Sequence, residues 1–348
     1  MQTNSQAIPV TTQRHRALIY AATLLLVIAG GLVLYKGASA LAVIEKVQQS
    51  RTFQPSTNVL PVPGSTTQLG VITRSFNYFQ VIWPALLFGF LISGAVRVLD
   101  PPQWLTKSFG KSRLRSQVAA GLAGAPLMLC SCCVAPVFSG MYERSSKLGP
   151  SLALMLAAPA LNPAALILTF MLFDYRIATA RLVVSAGAVF LTGILIERFI
   201  QVDPINCVNA EAKDNRPLFV RFLRSCGEVA IRTVPLIAVG VIASMAIALW
   251  LPVGALASSR GQVIATIVVA FIALPLAMPT FFEIPLALLL LSAGAPAGAA
   301  VAMLIAGPAI NLPSLFTIAR STNWRVAGAV AVSIFVLAAL GGLFVSLL

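Results

Sequence analysis

Pro126-Leu127-Met128-Leu129-Cys130-Ser131-Cys132-Cys133-Val134-Ala135-Pro136 lies inside a stretch without charges that runs from 117 to 142. Proline lacks a backbone donor and interrupts the helical ladder. Hydrocarbon offers freed backbone groups no water, so broken backbone at membrane depth survives only where protein buries it or a cavity solvates it. Prolines on both sides therefore predict a non-helical tip inside a membrane protein. That tip presents three soft sulfur atoms.

Composition points the same way. Of 348 residues, 58% are hydrophobic and only 10% charged, against about 25% charged in an ordinary soluble domain. Mean hydropathy is +0.91. Charge-free runs fall at 17–35, 76–96, 117–142, 148–173, 234–259, 261–282, 284–319 and 326–348. A spanning helix needs about 20 apolar residues, so most runs suffice and the longest have room for a break. A shorter run, 182–196, reaches back to 177 if Arg181 snorkels to the interface. The first run is longer than the apolar core of a signal peptide and no small-residue cleavage site closes it, so it reads as a retained helix.

The net charge of +14 reflects basic residues gathered in cytoplasmic loops rather than a nucleic-acid surface. The sequence contains no nucleotide-binding loop, no His-rich ligand set and no Ser-His-Asp constellation, and the single histidine, His15, stands near the N-terminus. ATP hydrolysis by this chain is excluded on that basis, and an enzyme is not expected. Arg14 and Arg16 place the N-terminus inside. The segment 36–75, with Pro55, Pro61, Pro63 and Gly64, then reads as an external loop. Arg97, Lys107, Lys111, Arg113 and Arg115 mark the next loop as cytoplasmic. Cys207 and Cys226 fall in or beside the loop between the halves and read as incidental.

The chain repeats itself. Pro126, Pro136, Gly149, Pro159 and Asn162 recur at Pro275, Pro285, Gly298, Pro308 and Asn311, every pair one interval apart (311 − 162 = 149). Pro84 and Gly89 match Pro235 and Gly240 after a shift of two residues. The expected organisation is an N-terminal tail (1–16), an extra N-terminal helix (17–35), the external loop (36–75), a first repeat (76–198), a cytoplasmic linker (199–227) and a second repeat (228–348). Each repeat reads as one helix, a proline-broken re-entrant hairpin, an interrupted helix and a plain helix. The fold class is thus an all-α polytopic membrane protein. An odd number of crossings per repeat makes the two repeats inverted, the arrangement secondary transporters use for alternating access. The helix breaks fall at Pro126, Pro136, Pro159, Pro163, Pro279, Pro285, Pro308 and Pro313, and the C-terminus is expected outside.

In each half the hairpin tip and the helix break are expected to meet. Cys130, Cys132 and Cys133 would not share a face on a regular helix, whereas an irregular tip brings two or three together. Thiolates favour soft centres such as Cu(I), Zn(II) or trivalent arsenic. Ser131, Asn162 and Asn311 complete the expected substrate-binding set, with the alternative that the two asparagines simply cap the following half-helices. The second repeat lacks the thiols: Thr280 stands opposite Ser131, and Pro279, Phe281 and Phe282 stand opposite the cysteines. Met278 is a supplementary soft ligand or a gap-filler. Glu283, alone in an uncharged region, is either a coupling carboxylate or an exposed residue of an outward-facing tip. Glu143, Arg144 and Lys147 read as the hydrated return of the first hairpin.

The runs Leu129-Cys130-Ser131-Cys132-Cys133-Val134-Ala135-Pro136, Leu148-Gly149 and Ala157-Ala158-Pro159-Ala160-Leu161-Asn162-Pro163 resemble the predicted permeases of the ArsP and YraQ type. The resemblance covers both repeats. It implies a multi-pass permease of the bacterial inner membrane. One branch of that family exports trivalent organoarsenicals, and others are linked to copper or zinc efflux. The family's Cys-Ser-Cys falls on Cys130, Ser131 and Cys132, and Cys133 replaces a common glycine. The function expected is secondary efflux of a thiophilic solute, with Cys130, Cys132 and Cys133 as metal ligands if that solute is a soft metal. Alternatives are a membrane redox or sulfur-transfer protein, or a membrane subunit of a larger complex. The partners expected are the lipid bilayer, a small thiophilic solute and, as an option, a homo-oligomer; no cofactor and no nucleic acid are expected.

Overall fold

The computed structural model describes residues 10–50, 70–98, 113–145, 147–200, 218–250 and 261–347. Among these residues the chain forms helices and no strand. They are α1 (Val10–Ser50), α2 (Val71–Val98), α3 (Arg113–Gly124), α4 (Ser131–Ser145), α5 (Leu148–Ala160), α6 (Pro163–Leu172), α7 (Tyr175–Phe199), α8 (Leu218–Trp250), α9 (Gln262–Ala273), α10 (Glu283–Ser292), α11 (Ala297–Ala309), α12 (Leu312–Ser321) and α13 (Trp324–Leu347). The protein is an all-α polytopic membrane protein. Thr23–Ser50, Val71–Val98, Tyr175–Phe199, Phe219–Ile247 and Trp324–Leu347 are each long and apolar enough to cross a bilayer. Two bent pairs are long and apolar enough when each is taken together: α5 with α6, bent by 40°, and α11 with α12, bent by 45°.

Both bends have the same local cause. Pro159 and Pro308 are the penultimate residues of α5 and α11, where each denies a donor to the preceding turn. The chain restarts at an asparagine cap. Asn162 Oδ1 accepts from the Ala164 and Ala165 N–H groups (3.1 and 3.4 Å), with Pro163 as the first residue of α6. Asn311 Oδ1 accepts from Ser314 N–H (3.0 Å), while Ser314 Oγ accepts from Asn311 N–H (2.9 Å), closing a capping box. Each cap is worth about 1 kcal/mol.

The first hairpin returns to the end of the bundle from which it came. Along α3 and α5, Gln117 lies against Gly149 and Gly124 against the Leu154 carbonyl, so these helices run side by side in the same direction. Only 146–147 separate the end of α4 from the start of α5. At that same end Arg97, in the last turn of α2, pairs with Glu143 of α4. The second hairpin repeats the arrangement, with Thr266 of α9 against Gly298 of α11 and four residues joining α10 to α11.

Three helices share one footing in each half. Gln117, Gly149 and Gly193 bring α3, α5 and α7 together, and Thr266, Gly298 and Gly342 bring α9, α11 and α13 together. All three pairs are 149 residues apart (342 − 193 = 149). A Cβ on Gly149 would collide with Gln117, and one on Gly342 with the Gly298 carbonyl, so glycine is what permits backbone contact there. Glu197 seals the first footing by accepting from Gly149 N–H at 2.6 Å.

Two boundaries differ from the sequence reading. α1 continues to Ser50, so 36–50 belongs to a helix and not to an external loop; the run 36–50 holds no proline, and its Ala and Lys content favours helix. Pro55, Pro61 and Pro63 lie outside the described residues. α8 begins at Leu218 rather than 228. Cys226 therefore sits within α8, against Gly94 of α2, while Cys207, Lys107 and Lys111 lie outside the described residues.

Candidate functional site

The two hairpin tips and the two helix breaks converge on one small cavity. Leu129, Cys130, Ser131, Pro159 and Asn162 line it from the first half, and Met278, Pro279, Thr280, Phe281, Glu283 and Pro308 from the second. Four of these contacts are matched at the repeat interval: Leu129 with Met278, Cys130 with Pro279, Ser131 with Thr280, and Pro159 with Pro308. The cavity therefore lies where the two halves face each other as equivalents. Its volume is about 10 Å³, room for about one water, so any larger solute requires the walls to part.

Each tip is built by an unusual backbone. In the first, Ala125–Leu127 form a 3-10 turn ending at Met128, whose φ is 51°. In the second, Phe281 has φ 75°. Among the described residues these are the only non-glycine positions with left-handed backbone, a conformation that costs of order 1–3 kcal/mol and clusters at functional sites. Cys130 stands just outside α4, and its carbonyl accepts from the Cys133 and Val134 N–H groups (3.0 and 3.1 Å). Cys130 thus stands at the end of α4 that carries the helix's partial positive charge.

The prolines are distributed differently from the expected set of breaks. Pro126 lies in the 3-10 turn and Pro279 in the second tip. Pro163 and Pro313 occupy the first and second positions of α6 and α12, where a missing N–H is harmless. Pro285 is the third residue of α10 and equally tolerated there. Pro136 lies inside α4 rather than at the edge of the break. The first break therefore ends at Cys130, and Ser131, Cys132 and Cys133 are helical.

The three sulfurs nevertheless converge, all within 4.8 Å of one another. A regular helix would hold them apart; they meet because Cys130 belongs to the irregular tip and precedes the first turn of α4. Cys130 and Cys132 Sγ are 3.2 Å apart. Thiolates sharing an ion at a bond length of about 2.3 Å stand roughly 3.8 Å apart in tetrahedral geometry, so this pair would open by about 0.6 Å to hold such a centre. Only Cys130 reaches the cavity wall. Cys132 points to the Tyr78 hydroxyl of α2 at 3.1 Å, and Cys133 to the Ile82 carbonyl at 4.0 Å. Tyr78, fully buried, is a neighbour that sequence reasoning missed; it lies 54 residues from Cys132, and nothing in its own surroundings marks it.

Asn162 lines the cavity while its oxygen caps α6. Asn311 is buried beside its own cap and does not line the cavity; its amide nitrogen has no hydrogen-bond partner. Glu283 is not at an exposed tip: it is 2% exposed, opens α10 and lines the cavity. Nor does Arg181 snorkel to an interface. It is fully buried, donating to Glu283 Oε1 at 2.8 Å and to Thr169 Oγ1 at 2.5 Å. With Glu283 at hand, an ion pair in the interior replaces the run to the surface. Glu143 forms its pair with Arg97 at the hairpin return, where it is partly exposed.

Comparison with known proteins agrees with this architecture. The predicted-permease family ArsP_1 matches residues 69–347. The UPF0718 protein YraQ of Escherichia coli (strain K12) is 30% identical over 277 residues, covering 77% of this chain and 79% of the relative. The UPF0718 protein MJ0584 of Methanocaldococcus jannaschii is 22% identical over 68% of this chain and 84% of its own length. No solved structure matches. With the family match spanning both hairpins, both broken helices and the cavity between them, the chain belongs to the ArsP_1 family of predicted permeases.

Proposed function

We propose that this permease exports a thiophilic solute, a trivalent arsenical or soft metal ion, through the cavity between its halves. One observation carries the reading: Cys130 lines a cavity at which the two halves meet as equivalents, and its sulfur lies within 4.8 Å of those of Cys132 and Cys133. A soft centre takes thiolates in preference to oxygen donors, while Ser131, Thr280 and Asn162 supply hydrogen bonds to whatever oxygen ligands it carries.

Transport by alternating access needs two halves of opposite orientation around a fixed site. Gly94, near the end of α2, packs on Cys226, near the start of α8, and α8 is long enough to carry the chain to the far end of the bundle. That course supports an inverted relation between 76–198 and 218–348. The basic residues at 97–115 favour the cytoplasm for the first footing, and hence an N-terminus inside and a C-terminus outside a bacterial inner membrane.

The test is a resistance screen. A sensitive bacterial strain expressing the chain is exposed to trivalent arsenicals and to Cu(I), Zn(II) and Cd(II), and compared with a Cys130→Ser, Cys132→Ser double variant at matched protein level. Protection against at least one agent, lost in the double variant, is expected. Undiminished protection by the double variant would rule out thiol coordination.

A further inference from the structure

Arg181 and Glu283 tie the two halves together beside the cavity with two formal charges, their side chains 0% and 3% exposed. Arg181 comes from α7 of the first half and Glu283 from the first turn of α10 in the second. The repeat interval sets Val330 opposite Arg181 and Val134 opposite Glu283. The equivalent positions are thus apolar, and among the described residues the ion pair has no counterpart at the repeat interval. Cohesion alone does not require it, since well-packed apolar residues serve about as well as a buried ion pair.

Alternating access shifts one half against the other, and the pair lies across that joint. Parting it with both charges intact would strand two ions in apolar protein. A guanidinium keeps its proton; a carboxylate can accept one. Arg181 has a second partner within its own half, the Thr169 hydroxyl, which in turn donates to the Ala165 carbonyl at 2.7 Å. Arg181 can therefore remain behind when the halves separate. Glu283 has no such reserve. Its neighbouring helices α6 and α11 carry no titratable side chain, and the other ionisable residues of α7 (Tyr175, Arg176, Glu197 and Arg198) stand at its ends. The cavity adds Cys130 alone. Whatever replaces Arg181 at Glu283 enters through the cavity.

We infer that Glu283 is the coupling carboxylate of this permease, exchanging Arg181 for one proton from the cavity in each transport cycle. In one access state Glu283 loses the hydrogen bond from Arg181 and gains an O–H bond, taking the proton from water. In the other it returns that proton to water as the pair re-forms. The inference rests on the transport reading, and it holds whichever residues grip the cargo.

The experiment uses the full chain in liposomes with the membrane potential clamped at zero and Cd(II) as probe. For wild type, accumulation of Cd(II) is expected to follow an imposed pH gradient, about tenfold per pH unit for one-for-one exchange. Glu283→Gln mimics a permanently protonated group: exchange of Cd(II) for labelled Cd(II) should persist while pH-driven accumulation falls at least tenfold. Retention of pH-driven accumulation by Glu283→Gln overturns the inference. If that variant does not fold, an Arg181→Gln, Glu283→Gln double variant removes both charges and takes the same test. If wild type does not carry Cd(II), the soft-ion reading fails, and infrared titration of the chain in nanodiscs decides this inference separately. A carboxylic-acid band that appears on acidification and is missing from Glu283→Gln supports it; no such band at any pH overturns it.

Discussion

Gly89→Ala tests whether helix packing behind the thiols holds them in place. Gly89 lies on α2 directly against the Cys133 carbonyl, where a methyl group would overlap the oxygen, with Pro136 Cγ 3.9 Å away. The backbone of α4 cannot yield locally because its first turn is anchored by the Cys130 carbonyl. α2 must therefore retreat by a large fraction of an ångström. Tyr78 and Ile82 lie about three and two turns earlier on the same helix, and the Cys133–Ile82 contact is already at 4.0 Å. Overpacking of this kind costs about 1–3 kcal/mol, against a gain of about 1 kcal/mol for replacing glycine within a helix. Gly187→Ala on α7, with nothing within 4 Å, collects the gain alone. The two variants should thus differ by about 1–3 kcal/mol, read from reversible unfolding in mixed micelles. Maleimide should label Cys132 and Cys133 faster in Gly89→Ala. Equal stability of the two variants to within about 0.5 kcal/mol, with unchanged labelling rates, would show that the close approach of α2 and α4 does not constrain the site.

Cys130→Ser should reduce soft-ion affinity by more than the 10–100-fold typical of a supporting residue, whereas Cys133→Gly, which removes a sulfur outside the cavity wall, should be milder; equal losses in Cd(II) titration would contradict the geometry. Asn162→Ala should lose a helix cap, about 1 kcal/mol, and Asn162→Ser should recover it. If Asn162 also holds cargo, transport by the serine variant stays low when stability returns, and full recovery of both would reduce the residue to a cap. Among the described residues, five long apolar helices plus each bent pair taken as one span would make seven crossings, an odd number that predicts chain termini on opposite sides. Reporter fusions at the two termini should therefore light up in different compartments, and agreement between them would break the crossing scheme.

The repeat was legible because its markers are residues whose backbone chemistry is hard to replace. Pro159, Asn162, Gly149 and their partners each perform a backbone task that few other side chains can. Gln117 and Thr266 escaped notice although they do equivalent work, since a polar side chain filling space between glycines can change type without changing the fold. The Arg181–Glu283 pair was invisible for another reason. Its members are 102 residues apart, lie in different halves and have valines at the equivalent positions, so no periodicity points to them. Glu283 was singled out as an isolated charge, but whether an isolated charge faces water or a partner depends on packing. The thiols were expected to meet at an irregular tip, and the irregular part proved shorter than expected: one non-helical residue, Cys130, sufficed to bring the sulfurs together over a helical first turn.

The shared footings in each half have a mechanical meaning. Glycine contacts fasten three helices at Gly149 and Gly193, and again at Gly298 and Gly342, while the cavity lies at the other end of α5 and α11. From Gly149 to Pro159 is ten residues, a lever of about 15 Å. A tilt of about 5° at such a pivot moves the far end by about 1.3 Å, comparable with the radius of a water molecule. A rocking motion too small to disturb the glycine contacts is therefore enough to open or shut a cavity this tight. Amplification of that order lets the stiff end of each half remain packed while the end that meets the cargo moves.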